Sequence, residues 1–176
     1  MNLTSPGTRA SCFWSPTLCI RRYQCSSIRA SPSDPYQRAL VRFWADYVDK
    51  KVYEGWLLIV KNVEGKSMEQ GRSVVRESMV ALDGALRDVF GPGPYFGGDQ
   101  LNLVDIVLAP YLCGIDTMET LGNFKVLNES TCPHLCAWAK AVVHYPGVKE
   151  GLATTPSQNF LEYIRSIRKT MFGLIE

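Results

Sequence analysis

Cys132, His134 and Cys136 stand together in the stretch C-P-H-L-C, the closest spacing of metal-ligating side-chain types in the chain. Thiolates and an imidazole are zinc ligands, but a closed tetrahedral site needs four. No second pair lies nearby, and the other histidine, His144, is remote. No metal site is assigned; Cys136, one helical turn after Cys132 among apolar residues, reads as a buried structural thiol. The second candidate for chemistry is the carboxylate of Asp105, in Y-F-G-G-D-Q-L-N-L-V-D-I-V-L-A-P over 95–110. A carboxylate can serve as general acid or base, yet this one sits where a helix start needs it. Asn102 is spaced to cap the helix by accepting the N–H of Asp105, and Asp105 to reach back to the N–H of Asn102. Leu101 and Ile106 flank the pair at the spacing of a hydrophobic staple. Asp105 is therefore read as structural, with its loss costing about 1–2 kcal/mol.

The elements that would position these residues are helices. Asp34 caps the first, with Pro35 pre-set at its first position and Leu40, Trp44, Tyr47, Val48 and Val52 at helical spacing. Ser67 and Gln70 form a second capping box before Val75, Met79, Leu82, Leu86 and Val89, and the run G-P-G-P at 91–94 stops that helix. In the Asn102 helix Pro110 removes an internal hydrogen bond and predicts a kink. A fourth helix starts near Pro133, uses Leu135, Trp138, Ala139 and Val142, and ends before Pro146. Thr155-Pro156-Ser157-Gln158 reads as a capped start leading to Phe160, Ile164, Ile167 and Met171. No stretch alternates apolar and polar residues over a strand's length. The fold class is all-α, a bundle of about five main helices.

Composition bounds the rest. The 176 residues, 46% apolar and 20% charged, suffice for one domain with a real core. The net charge of +2 is uneven: residues 1–32 carry Arg9, Arg21, Arg22 and Arg29, six serines and no acid. That composition fits an organelle transit peptide, or else sequence with no fold of its own. The chain thus divides into an irregular segment 1–32 and a helical domain 33–176. The domain has no basic field for a phosphate backbone, so nucleic acid is not an expected partner. Nor does any apolar run approach the roughly 20 residues of a membrane span. The six cysteines do not form a disulfide framework, which suits a reducing compartment. Arg42, Lys50 and Lys51 read as a solvated face, and Trp44, Trp138 and Phe160 as core.

The order S-D-P-Y-Q-R-A (33–39), R-F-W-A-D-Y-V-D-K-K (42–51), Y-F-G-G-D (95–99), L-V-D-I (103–106) and C-P-H-L-C-A-W-A (132–139) resembles the helical second domain of plant tau-class glutathione transferases. The resemblance runs from about Ser33 to Ile175. It implies conjugation of glutathione to hydrophobic electrophiles, hydrophobic small molecules as partners, a possible homodimer, and a cytoplasmic location (a plastid if residues 1–32 direct transport). It also implies a thioredoxin-like first domain whose Ser hydroxyl favours the glutathione thiolate. Residues 1–32 are too short for that domain, and the Ser-Pro pairs at Ser5-Pro6 and Ser15-Pro16 sit in no strand–helix context. Hence no catalytic and no cofactor-binding residue is assigned, glutathione is left without a site, and little or no conjugation is expected of this chain.

By the same resemblance the second domain supplies the wall of the electrophile pocket. Carried over position by position, that wall is Tyr53 and Leu57, Gly114 and Ile115, Tyr163 and Ile167. Leu57 and Gly114 stand where the family often has larger or basic side chains, so a more open and less polar wall is expected. Each apolar member serves equally well as ordinary core, whereas a tyrosine offers a ligand both an apolar body and a hydroxyl. A further non-catalytic reading, retention of apolar ligands, stays open, as does a chain without any function.

Overall fold

The computed structural model describes residues 34–61, 65–153 and 157–174, with nothing drawn from side chains 153–159. Within them lie eight α-helical stretches, one π-helical turn and one 3-10 segment, and no strand. The all-α expectation holds. The first rod joins α1 (Pro35–Tyr47), the π turn (Val48–Val52) and α2 (Tyr53–Lys61). Next come α3 (Lys66–Asp88) and a second composite rod of α4 (Leu103–Leu108), the 3-10 segment (Ala109–Gly114) and α5 (Ile115–Gly122). The chain ends in α6 (Pro133–Val142), α7 (Pro146–Ala153) and α8 (Ser157–Phe172). None of the described helices is long and apolar enough to cross a membrane.

Local chemistry explains most of these boundaries. Asp34 accepts the N–H of Gln37 at 2.9 Å, with Pro35 at the first helical position. The proposed box at Ser67 and Gln70 does not exist: α3 starts at Lys66, one residue before Ser67, with no side-chain cap. Gly65 makes the early start possible, because at φ +88° it turns the chain where other residues are strained. Pro110 does break the regular helix, tightening it into the 3-10 segment. The start at Thr155-Pro156 lies outside the described residues. Helix α6 ends at Val142, before Pro146 as expected, and Pro146 then opens a short helix, α7, additional to the expected five.

The core runs between the rods. On α1 it takes Val41 and Ala45 and on the π turn Val48 and Val52, while Leu40, Trp44 and Tyr47 are only half-buried. Val48 and Val52 are buried as expected, whereas on α1 itself the stripe lies one position from the expected Leu40 and Trp44. Helix α3 buries Val75, Met79, Leu82 and Leu86 as its spacing predicts. On α8 the interior line is Phe160, Ile164 and Arg168, and Met171 is 65% exposed instead of buried. Positions four apart stay on one face over two turns, and Arg168 takes the third of them.

Helices α2 and α3 approach closely through Gly55 and Gly71. A Cβ at Gly55 would lie 2.7 Å from Val75 Cγ2, and one at Gly71 would lie 3.0 Å from both Ile59 Cγ1 and Leu58 Cβ. The buried Asp105 ties three separate segments together. Its carboxylate accepts the N–H of Phe96 at 3.0 Å, the N–H of Asn102 at 2.7 Å and the indole N–H of Trp138 at 2.8 Å. Asn102 Oδ1 in turn accepts from Val104 N–H at 2.8 Å, and the reciprocal capping box is complete. Leu101 and Ile106 are both buried. Burial pushes the Asp105 carboxyl up to about 6, against the pull of its N–H donors.

A second buried carboxylate does for α6 what its own cap residue does not. Cys132 makes no side-chain cap there. Asp83 of α3 instead accepts the N–H of Leu135 at 2.7 Å and contacts His134 Nδ1 at 3.1 Å. Two helices far apart in sequence are thereby fixed end to side.

Candidate functional site

The wall built by the first rod begins with a defect in its own helix. Through Val48–Val52 the backbone widens into a π turn, and the N–H of Tyr53 reaches back to the carbonyl of Val48. Such turns are uncommon and recur at functional sites. Val48 and Val52 are fully buried and hold the turn against the bundle, leaving Asp49, Lys50 and Lys51 outside. Lys50 and Lys51 pair with Asp46 at 2.8 Å and Glu54 at 3.2 Å on the solvated face. Tyr53 follows at once, half-buried.

Tyr111, from the 3-10 segment, lies close to this turn. Burial raises its hydroxyl pKa well above the ordinary tyrosine range, and the nearby Asp49 and Tyr53 push it further in the same direction. Tyr111 is therefore a neutral hydroxyl at any physiological pH. Its ring meets that of Trp56 edge to face, centroids 4.9 Å apart.

The second and third contributors meet at Gly114. This residue is buried, and a Cβ placed on it would fall 2.8 Å from Trp56 Cζ3 and 2.7 Å from Phe160 Cε1. Thus α2, the 3-10 segment and α8 converge on one glycine, and the space a larger side chain would take is filled by two aromatic rings. Phe160 is followed by Tyr163, ring centroids 6.5 Å apart and tilted by 34°. Ile115, Tyr163 and Ile167 pack on the core from partly exposed positions. Leu57 is half-buried as well.

Of the six residues read as a wall, Gly114 thus sits behind the surface and the other five at it. The structure brings Tyr53 near Tyr111 and Gly114 against Trp56 and Phe160. The sequence reading passed over Trp56 and Tyr111; the signal available was Trp56 one turn after Tyr53, and Tyr111 directly behind the helix-breaking Pro110. Chemically the arrangement is an aromatic and aliphatic surface edged by tyrosines, suited to hold an apolar molecule.

Elsewhere, the three side chains of the C-P-H-L-C stretch do not converge on a metal position. His134 turns to Asp83, and the Cys132 sulfur accepts the N–H of Asn128 at 3.3 Å. Among the described residues no three His, Cys, Asp or Glu side chains gather into a potential metal site.

Comparison with known proteins now adds to this geometry. Residues 47–146 match the family model described as the glutathione S-transferase C-terminal domain. A probable glutathione S-transferase of Nicotiana tabacum is 39% identical over 143 residues, covering 81% of this chain and 60% of that protein. Glutathione S-transferase U25 of Arabidopsis thaliana is 35% identical over 140 residues, covering 80% and 59%. Among solved structures, the tau class glutathione S-transferase of mango, Mangifera indica, superposes with a TM-score of 0.70 at 29% identity, covering 78% of this chain and 62% of that one. Rice glutathione S-transferase 1, solved in complex with glutathione, gives 0.65 at 27% identity, covering 78% and 60%. The chain spans about 60% of the length of the relatives it matches.

Proposed function

This chain belongs to the glutathione S-transferase family and, within it, to the plant tau class, and on that premise we propose that its helical bundle is the wall against which a hydrophobic electrophile packs for conjugation to glutathione. The observation that carries the reading is the convergence on Gly114, where Trp56, Phe160 and Tyr111 form a rigid aromatic floor behind the half-buried Tyr53, Tyr163 and Ile167. Aromatic surfaces with a hydroxyl at the edge hold apolar ligands and orient them. The conjugation chemistry is assigned to none of the described residues. Little or no transferase activity is the expected behaviour of these 176 residues by themselves.

Assay of the purified chain with glutathione and chlorodinitrobenzene, beside a protein-free blank, tests both halves. The expected trace is flat, while chlorodinitrobenzene alone raises the melting temperature by mass action. Tyr53→Ala and Tyr163→Ala each remove most of that rise, read as the shift on adding chlorodinitrobenzene relative to the same variant without it. A rate saturating in glutathione overturns the inactivity; a melting temperature indifferent to the electrophile overturns the wall.

We also propose that the chain pairs as a homodimer. Tyr36 and Phe43 on α1, 68% and 59% exposed, and Val80 on α3, 50% exposed, are the large apolar side chains a second copy would cover. Sedimentation velocity is expected to show a dimer that Phe43→Glu converts to monomer. A monomer in both cases ends that proposal.

A further inference from the structure

We propose that Met171 is a site of reversible oxidation, at which a hydroperoxide turns the outer end of the α8 face polar and weakens its hold on an apolar molecule. The second half rests on the reading of that face as a ligand wall; the first rests on where the methionine sulfurs lie. Met68 and Met118 are fully buried and Met79 is 5% exposed, whereas Met171 is 65% exposed. Oxygen transfer needs the peroxide at the sulfur, so burial shields three thioethers and leaves the fourth open.

The exposure of Met171 is not that of a polar helix face. At about 100° per residue, Met171 falls between Ile164 and Ile167 around the axis of α8. Ile164 is fully buried and Ile167 packs on the core. Met171 therefore lies on the inward side of the helix without the cover those two have. Helix α2 ends beside the same turn, the ammonium of its last residue, Lys61, standing 5.9 Å from the Phe172 ring centroid.

That last turn is closed by the backbone. Gly173 takes φ +65°, and the Leu174 N–H bonds the Arg168 carbonyl at 3.1 Å, the pattern that ends a helix on a left-handed glycine. Tyr163, Ile167 and Met171 follow one another at four-residue steps, with Met171 outermost. Long side chains on a helix lean toward its N-terminal end, so the thioether is directed back over the turn that holds Ile167. An apolar molecule lying along Tyr163 and Ile167 meets this side chain next.

In the oxidation, the Met171 sulfur attacks one oxygen of the hydroperoxide and the O–O bond breaks. That oxygen stays on sulfur as the sulfoxide, its proton passes to the departing oxygen, and water or an alcohol leaves. Sulfur gives up two electrons and the peroxide takes them. A flexible apolar group becomes a polar hydrogen-bond acceptor, and methionine sulfoxide reductases reverse the change.

Trypsin puts each of these methionines on its own peptide: Met68 on 67–72, Met79 on 77–87, Met118 on 88–125 and Met171 on 170–176. The folded full-length chain is treated with hydrogen peroxide, digested, and each oxygen located by fragmentation. Met171 is expected to gain one oxygen while the other three gain none, and all four to gain it in urea. Equal oxidation of the four in the folded protein, or none at Met171, overturns the site. For the wall, the rise in melting temperature on adding chlorodinitrobenzene is compared before and after oxidation. Oxidation is expected to remove a large part of that rise and sulfoxide reductase to restore it. Met171→Leu, treated alike, keeps its rise, which separates the sulfoxide from any change at a cysteine. An undiminished rise in oxidised wild type overturns the control of binding, as does an equal loss in Met171→Leu. A protein with no rise even before oxidation refutes the wall and the control with it, while the oxygen map still decides the site.

Discussion

Replacement of Asp105 by alanine is expected to cost about 4 kcal/mol and roughly 10 °C in melting temperature. A helix cap alone is worth about 1 kcal/mol. The excess comes from burial: the Phe96 N–H, the Asn102 N–H and the Trp138 indole N–H lose their common acceptor in a place water does not reach. Each orphaned donor costs about 1–3 kcal/mol before the site relaxes. Asp105→Asn separates charge from hydrogen bonding. Its carbonyl can still serve Phe96 and Trp138, which share Oδ1, but its amide meets the Asn102 N–H donor to donor. This variant should fall between wild type and alanine.

The pH dependence of that difference has a definite sign. The folded-state carboxyl, at about 6, lies above the ordinary aspartate value of 3.8. The folded protein thus binds the proton more tightly than the unfolded chain. Stability from this group is fully present below the unfolded value and is lost as pH rises through about 6. Measured by urea unfolding, the advantage of wild type over Asp105→Asn should shrink between pH 4 and pH 7.5, by up to about 3 kcal/mol. A constant difference removes the titration from the account; a loss near 1 kcal/mol in Asp105→Ala removes the network.

The second large effect is expected at the crossing of α2 and α3. Gly55→Val should destabilise the bundle by about 3 kcal/mol. Helix propensity alone favours replacing a helical glycine with alanine by about 1 kcal/mol, so the sign rests on packing. At Gly55 the first added carbon already lies 2.7 Å from Val75 Cγ2 and 3.1 Å from the Val75 backbone nitrogen, which cannot turn aside. Gly84 in the same α3 helix provides the control, because a Cβ there meets nothing within 4 Å. Gly84→Ala should stabilise by about 0.5–1 kcal/mol. Urea midpoints moving the same way in both variants would show that propensity, not the crossing, governs these positions.

What could be read from the sequence was what neighbours in the chain decide. Asp34-Pro35 and Pro133 announce helix starts because cap and partner are a few residues apart. The helical class follows from spacing in the same way. Gly65 gave no such sign, since a glycine's use of positive φ becomes visible only with the backbone. On α1 the apolar residues are dense enough for two adjacent stripes, and contact with α4 decides in favour of Val41 and Ala45. The weight of Asp105 was underestimated because two of its donors, Phe96 and Trp138, come from other segments. Gly114 was legible as a small residue expected to open the wall, and the opposite holds, because Trp56 and Phe160 fill the space beside it.

The π turn has a consequence for the length of the first rod. On an uninterrupted α-helix, residues four apart creep around the axis by about 40° per step, since 3.6 residues make a turn. Val48, Val52, Trp56 and Val60 step by four and would have spiralled away from the bundle; the wide turn winds that drift back, and all four are buried. It works like a leap day, an extra residue that keeps a slightly mismatched calendar in season. The register is therefore discrete. Removing a single residue from 49–51 would close the wide turn into an ordinary one and leave Tyr53 and Trp56 facing as they do, whereas a residue lost from the regular turns of α2 would rotate everything beyond it by about 100°.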